Sequence, residues 1–171
     1  MRGTLCLIAL MTLASPACGA DPTRYIDPRS GFAVAIPPDL VLRTGIRSQS
    51  DIAVGFDARS GQPAAATGHQ AALCEVRFRN LPSNVTQDAI NERVREAAVR
   101  MPAGDARVSE AGGIALVERE LMPATAPGVR VLSASFVTPR GETILVCAAK
   151  EDDRDRLLPL YRALLAGLKP A

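Results

Sequence analysis

The hydrophobic period of the chain alternates between two and about 3.6 residues, and this separates strand segments from helix segments. In three early segments, "GFAVAIP", "DIAVGFDA" and "AALCEVRF", apolar side chains recur at every second position, as they do on one face of a β-strand. The intervening "ARSGQPAAATGHQ" follows no period and predicts a loop. In the third segment Cys74 shares the apolar face with Val76 and Phe78, so we expect Cys74 to be buried.

Two later segments have the period of an amphipathic helix. Across residues 83–101 apolar side chains recur at helical spacing, and Asn84 with Gln87 three residues later resembles a capping box. Across residues 151–171 an acidic start precedes a leucine-rich stripe. Because proline removes a helix hydrogen bond, Pro159 predicts that the regular helix begins only after it, with a looser turn before.

Two hairpins lie between these helices, in "ARVSEAGGIALVEREL" and "GVRVLSASFVTPRGETILVCAA". In the second, a four-residue turn over 139–142 pairs Thr138 with Thr143 and sets Cys147 opposite Ala134. Both faces of this hairpin are apolar, so we expect it inside a sheet that is covered on both sides. The predicted fold class is α+β, a central antiparallel sheet flanked by helices on both faces in an α/β/α sandwich.

The first residues indicate export. "MRGTLCLIALMTLASPACGADP" has one arginine, an apolar run over 5–13 and then small residues, which is the layout of a secretory signal peptide. The apolar run is too short to span a bilayer. We expect residues 1–20 to be removed, with cleavage after Ala20 or after Gly19. The remaining 151 residues (171 − 20) match the size of a single domain over 21–171.

A lipid anchor at Cys18 is the alternative to simple export. Bacterial lipoprotein processing requires a leucine-like residue three positions before the cysteine, and Ser15 stands there, followed by Pro16. We therefore predict a periplasmic or extracellular protein without a membrane span, and keep the anchor at Cys18 as the less favoured possibility.

Removal of the leader also removes Cys6 and Cys18, which leaves Cys74 and Cys147. In an oxidising compartment two remaining cysteines are most simply a disulfide, and we predict this bond. The alternative is two separate buried thiols that pack as small apolar side chains. There is no C-x-x-C motif, so thiol-redox catalysis is not indicated.

The amino-acid composition argues against nucleic acid as a partner. The chain has 20 Lys and Arg against 18 Asp and Glu, with no tryptophan, two tyrosines and four phenylalanines. Such a balanced charge, with no aromatic platform for bases, excludes a typical nucleic-acid binder.

The order of segments resembles a known family. "YIDPRSGFAVAIPPDL", over 25–40, resembles the opening strand of the PsbP-like family, which includes the extrinsic subunit of photosystem II and DcrB-like bacterial exported relatives. The middle helix, "PRGETILVCAA" and "LLPLYRALLAGLK" occupy the corresponding places. The resemblance implies the α/β/α sandwich of that family and an accessory, assembly or binding role. It carries over no catalytic, cofactor-binding or metal-binding residue.

The preferred function is an exported, non-enzymatic accessory or binding domain with a protein partner. The sequence has no G-x-S-x-G, no H-E-x-x-H and no P-loop. The single histidine, His69, lies in the glycine- and alanine-rich loop, where a solvated side chain is more usual than a metal ligand. We predict no catalytic residue, no cofactor and no metal.

Two other functions stay open. A small-ligand carrier requires an apolar cavity with a few polar groups. A carboxylate-based hydrolase could use Glu118 and Glu120 on one strand face with Glu110 nearby. The alternation of Glu118, Arg119 and Glu120 at a strand end is more typical of a solvated sheet edge. A pocket with perturbed carboxylates favours the enzyme, and a dry apolar cavity favours the carrier.

Overall fold

A computed structural model describes residues 24–43, 46, 50–59, 72–101 and 106–170. The predicted leader over 1–20, including Cys18, lies outside the described residues, as does the loop segment with His69. None of the described helices is long and apolar enough to cross a membrane.

The described chain is mostly β, with two sheets and two helices. The elements are β1 (Arg24–Ile26), β2 (Ala33–Ala35), β3 (Leu40–Arg43), β4 (Ile52–Ala58), β5 (Cys74–Asn80), α1 (Gln87–Val99), β6 (Arg107–Ala111), β7 (Ile114–Leu121), β8 (Val129–Thr138), β9 (Gly141–Lys150), α2 (Arg154–Gly167) and β10 (Leu168–Lys169). The large sheet is antiparallel with the order β3-β4-β5-β9-β8-β7-β6.

A second sheet of three short strands has the order β1-β2-β10. Its central strand β2 pairs with β1 on one side and with β10 on the other, so it joins the two ends of the described chain. The sequence pattern predicted β2 as a strand but gave no sign of this separate sheet. A strand of two residues, as in β10, is too short to show a period.

The main core lies on one face of the large sheet. Its largest fully buried side chains come from the large sheet, the segment before β2 and helix α2, and include Phe32, Phe56, Phe136, Leu145, Leu157 and Leu164. On the other face of the β8–β9 hairpin, Val131, Val137, Ile144 and Val146 are only half-buried. Helix α1 contacts β6, β7 and β8, whereas α2 contacts β8, β9 and β2. A full helical layer on each face stays a prediction.

The predicted register of the β8–β9 hairpin was wrong. The turn has two residues, Pro139 and Arg140, and Thr138 pairs with Gly141 rather than with Thr143. Thr138 Oγ1 accepts a hydrogen bond from the Arg140 N–H at 3.3 Å and donates to the Gly141 carbonyl at 3.2 Å, which closes the tighter turn. Cys147 therefore lies opposite Leu132 instead of Ala134. The error is two residues, so the faces of the hairpin are as predicted.

The predicted start of α1 was also wrong. The N-cap is Thr86, whose hydroxyl accepts a hydrogen bond from the Ala89 N–H at 3.4 Å. The Gln87 side chain does not reach back to Asn84. It donates instead to the Val137 carbonyl at 3.0 Å and to the Asn91 side chain at 2.9 Å. Gln87 thus ties α1 to the sheet rather than closing a capping box.

Helix α2 begins before Pro159, contrary to the prediction. It starts at Arg154, after a 3₁₀ turn over Glu151–Asp153, and contains the proline. Pro159 has no N–H, so the helix lacks the one hydrogen bond that this residue would donate to the carbonyl four positions earlier. Leu157, two residues before the proline, is helical and fully buried in the core.

Candidate functional site

The three carboxylates suggested for a hydrolase do not converge. Glu118 and Glu120 lie on one face of β7, two residues apart. Glu110 on β6 pairs with Ala115, a residue of the opposite face. Glu110 instead accepts a hydrogen bond from Arg95 of α1 at 2.9 Å. The expectation that Glu110 lies near the other two was wrong. Successive side chains of a strand point to opposite faces of the sheet, so a difference of one position places Glu110 on the face opposite to Glu118 and Glu120.

Glu120 is held in a network of charges that joins β7, β8 and α2. Its two oxygens accept hydrogen bonds from Arg154 at 2.6 and 3.1 Å, and Arg130 lies 3.6 Å away. Arg130 in turn donates to both oxygens of Glu151, at 2.8 and 2.5 Å. The hydrogen bond from Arg154 is the main reason that the pKa of Glu120 lies below its ordinary value. Glu120 is therefore an ionised acceptor at neutral pH.

Glu118 faces the buried tyrosine of α2. The Tyr161 hydroxyl lies 3.4 Å from one Glu118 oxygen, and the Ser109 hydroxyl lies 3.5 Å from the other. Both hydrogen bonds are long. Burial, with a smaller effect of the Glu118 charge, raises the pKa of Tyr161 well above its ordinary range. Tyr161 therefore remains a protonated donor toward Glu118.

These carboxylates line an open groove of about 370 Å³ between β6, β7 and α2. Leu132, Leu158 and Tyr161 supply its apolar part, and Arg107 and Arg162 stand at its charged part. A general acid at neutral pH needs a carboxyl group with a raised pKa. Glu120 has the opposite shift, so Glu120 is not suited to the general-acid role.

The cysteines are neighbours in the large sheet. Cys74 of β5 and Cys147 of β9 pair directly, their Cα atoms lie 4.0 Å apart, and a disulfide joins them. Both are fully buried among Val76, Leu132 and Leu145 in the main core. The bond belongs to the interior of the fold and offers no accessible thiol chemistry.

No group of three or more His, Cys, Asp or Glu side chains within the described ranges is placed to hold a metal ion. His69 is not among these residues. The sequence reasoning missed the roles of Arg130 and Arg154, whose partners are 21 and 34 residues away in the chain. Local spacing carries no signal for such pairs, because only the sheet and α2 bring them together.

Neither a family model nor a curated protein sequence matches the chain. The chain is similar in fold to several solved structures. Cyanobacterial PsbP (CyanoP) from Synechocystis sp. PCC 6803 is 14% identical, with a TM-score of 0.54, over 92% of this chain and 98% of that one. LpqN from Mycobacterium tuberculosis, described as involved in cell envelope biogenesis, is 14% identical with a TM-score of 0.51 over 90% and 88%. The resemblance drawn from the sequence is thereby confirmed at the level of architecture, and the chain has a PsbP-like fold.

Proposed function

We propose that the protein is an exported, non-enzymatic accessory domain that binds a protein partner in the periplasm or outside the cell. The observation that carries the proposal is the PsbP-like fold, which extends over 92% of this chain and 98% of CyanoP. LpqN, which has a similar fold, is described as involved in cell envelope biogenesis. The resemblance of the sequence to the PsbP-like family implies an accessory or binding role, and a fold match over nearly the whole length of both chains supports that resemblance.

Export is the second component of the proposal. A buried disulfide between Cys74 and Cys147 supports folding in an oxidising compartment, because cytosolic thiols are kept reduced. We propose that residues 1–20 are a cleaved leader, that residues 21–171 form one domain, and that α1 and α2 cover opposite faces of the large sheet. The contacts of α1 with β6 and of α2 with β2 support separate positions for the two helices.

The hydrolase alternative receives little support. Glu120 is bound by Arg154 and has a lowered pKa, and Glu110 lies on the other side of the sheet. The carrier alternative needs an apolar cavity, yet Phe32, Phe56 and Phe136 fill the described core face with fully buried rings. Binding at the surface is the function that these side chains leave open.

The test is capture of a partner by the mature protein. The full chain, produced in an exporting host with a C-terminal tag, is cross-linked in exported fractions and purified. We expect one protein to be enriched in proportion to the bait, and the variant carrying Glu118→Gln and Glu120→Gln to capture it equally. Recovery of no partner, together with hydrolysis of an envelope component that the double variant loses, contradicts the proposal.

The leader is tested on the same material. Mass analysis of the purified protein should find a chain that starts at Ala20 or Asp21. A chain that starts at a lipidated Cys18 contradicts release without an anchor, and retention of Met1 contradicts export.

A further inference from the structure

A second open groove, of about 540 Å³, lies at the opposite end of β8 and β9 from the charge network, where the β8–β9 turn meets the segment before β2 and the end of β5. Its volume is in the range of ligand sites. Ile52, Phe78, Pro82 and Pro139 provide apolar surface. Neither the carboxylates of the first groove nor the disulfide contributes to it, so it needs an explanation of its own.

One positive group of this groove, Arg140, is positioned by the hairpin turn. The Arg140 N–H donates to Thr138 Oγ1 at 3.3 Å, and the adjacent Pro139 carbonyl accepts from the Ser83 N–H at 2.8 Å. One guanidinium nitrogen donates to the Ser30 carbonyl at 3.4 Å. A guanidinium has five N–H donors, so Arg140 retains donors for a ligand.

The other positive group, Arg29, is carried by a loop that a buried carboxylate organises. Asp27 is 4% exposed. One of its oxygens accepts from the Arg29 N–H at 3.0 Å, from the Ser30 N–H at 2.7 Å and from the Ser30 hydroxyl at 2.9 Å. The loop backbone that carries Arg29 is therefore fixed before any ligand arrives, which lowers the entropy lost on binding.

The charges of the groove favour a single negative charge. Two arginines, Arg29 and Arg140, and one carboxylate, Asp51, line the groove, which leaves an excess of one positive charge. One Asp51 oxygen already accepts from the Asn80 N–H at 2.6 Å. Within the described part of the chain neither arginine forms an ion pair. Guanidinium groups bind carboxylates with directed, charge-assisted hydrogen bonds.

We propose that this groove binds a carboxylate that is joined to an apolar group, with Arg29 and Arg140 at the carboxylate and Ile52 and Phe78 against the apolar group. A protein's C-terminal residue with an apolar side chain has this chemistry, and so does a free small acid. The inference rests on the proposed binding function, since it gives that function a surface and a ligand class. Capture of terminal carboxylates is a known mode of peptide recognition.

The test compares a carboxylate with its amide. The ¹⁵N-labelled full chain from an exporting host is titrated with acetyl-Ala-Ala-Phe bearing a free carboxyl terminus, with the same peptide as its amide, and with 3-phenylpropionate. We expect the peptide with the free carboxyl terminus to shift the backbone N–H signals of Ser30, Asn80 and Arg140. The peptide amide should bind at least about ten-fold more weakly. Tighter binding of the peptide than of 3-phenylpropionate assigns the site to a partner's terminus, and equal binding assigns it to a small acid.

Variants locate the effect. Arg29→Gln with Arg140→Gln should weaken binding of the free acid by at least about ten-fold, because both charge-assisted hydrogen bonds are lost. Arg93→Gln, on the exposed surface of α1, is the matched control and should bind as the unaltered protein does. Equal affinity for acid and amide, or full affinity in the double variant, overturns the proposal. Either result leaves the partner-capture experiment unaffected, so failure here is distinguishable from failure of the accessory function.

Discussion

Cys74 and Cys147 face each other across the pair β5–β9, with 4.0 Å between their Cα atoms. They do not occupy a hydrogen-bonded position of the ladder, because the adjacent Ala148 N–H donates to the Leu73 carbonyl at 3.0 Å. The disulfide thus lies in the middle of the sheet, where both side chains already point into the core. It closes a segment of 73 residues.

Loss of this bond should destabilise the fold without abolishing it. For a loop of this length the chain-entropy relation gives about 4 kcal/mol. We expect the variant with Cys74→Ala and Cys147→Ala to melt at a lower temperature in one cooperative transition. Mass measurement of the unaltered protein before and after reduction should differ by two hydrogens. Two thiols that react with an alkylating agent in the unreduced, folded protein contradict the bond.

The charge network predicts a pH-dependent loss of stability in Glu120→Gln. The pKa of Glu120 is lowered in the fold, so its ionised form stabilises the protein above its ordinary value of 4.5, and this contribution disappears as the pH falls through the folded-state pKa. Since the side chain is 35% exposed, we expect a cost of about 1 kcal/mol at neutral pH. Urea unfolding at several pH values measures it.

The matched control for this prediction is Glu96→Gln, the same chemical change at an exposed position of α1. It should leave the free energy of unfolding unchanged at neutral pH. A difference between Glu120→Gln and the unaltered protein that persists in strong acid contradicts the electrostatic explanation.

Gly141, the first residue of β9, should tolerate no side chain. A Cβ atom added at this position would lie 2.1 Å from the Arg79 carbonyl oxygen of β5. This oxygen belongs to the backbone and cannot move away without disrupting the sheet. We expect Gly141→Ala to lower the free energy of unfolding by about 3 kcal/mol. Gly112→Ala is the control, because it has a positive φ of 60° and open space around it. Its cost is only the backbone penalty of about 1 kcal/mol. Equal costs in thermal unfolding contradict the steric explanation.

The two tyrosines give a direct optical test of burial. The chain has no tryptophan. Burial is the largest cause that raises the pKa of Tyr25 and of Tyr161 above the ordinary value of 10.0. The neutral hydroxyls therefore stabilise the fold below pH 10, and this contribution is lost as the pH rises through the folded-state pKa.

Alkaline titration of the folded protein should thus show tyrosinate absorbance only above pH 10, while the chain unfolded in urea should titrate near 10. In Tyr161→Phe the more strongly shifted step should be missing, and Tyr25→Phe should retain it. A tyrosine that ionises at or below its ordinary pKa in protein still folded by circular dichroism contradicts the assignment.

Hydrophobic periodicity was sufficient to predict the main strands and the two helices. It located β4, β5 and the two strands of the β8–β9 hairpin, and it placed Cys74 and Cys147 on buried faces. It could not determine the hairpin register, because two-residue and four-residue turns over "PRGE" give the same faces. In the structure the hydrogen bonds of Thr138 close the shorter turn.

The two grooves were beyond the reach of the sequence for a different reason. Arg29 and Arg140 are 111 positions apart in the chain, and they line one groove because the segment before β2 lies beside the hairpin turn. Glu120 and Arg154 likewise meet only after α2 packs on the sheet. Hydrophobic periodicity indicates which face of a strand or helix a side chain occupies. A site depends instead on which segments, distant in the chain, lie side by side in the fold.

The strand order of the large sheet has a consequence for how fast the protein folds. Among the described strands of that sheet, β5 and β9 are the only neighbours that do not follow one another along the chain. The strands β3 to β5 and the strands β6 to β9 can each assemble from nearby contacts, whereas the encounter of β5 with β9 must overcome a long loop closure. Formation of the disulfide across that pair makes the encounter permanent. After unfolding, an oxidised chain therefore keeps β5 and β9 linked through the disulfide. It should refold faster than a reduced chain.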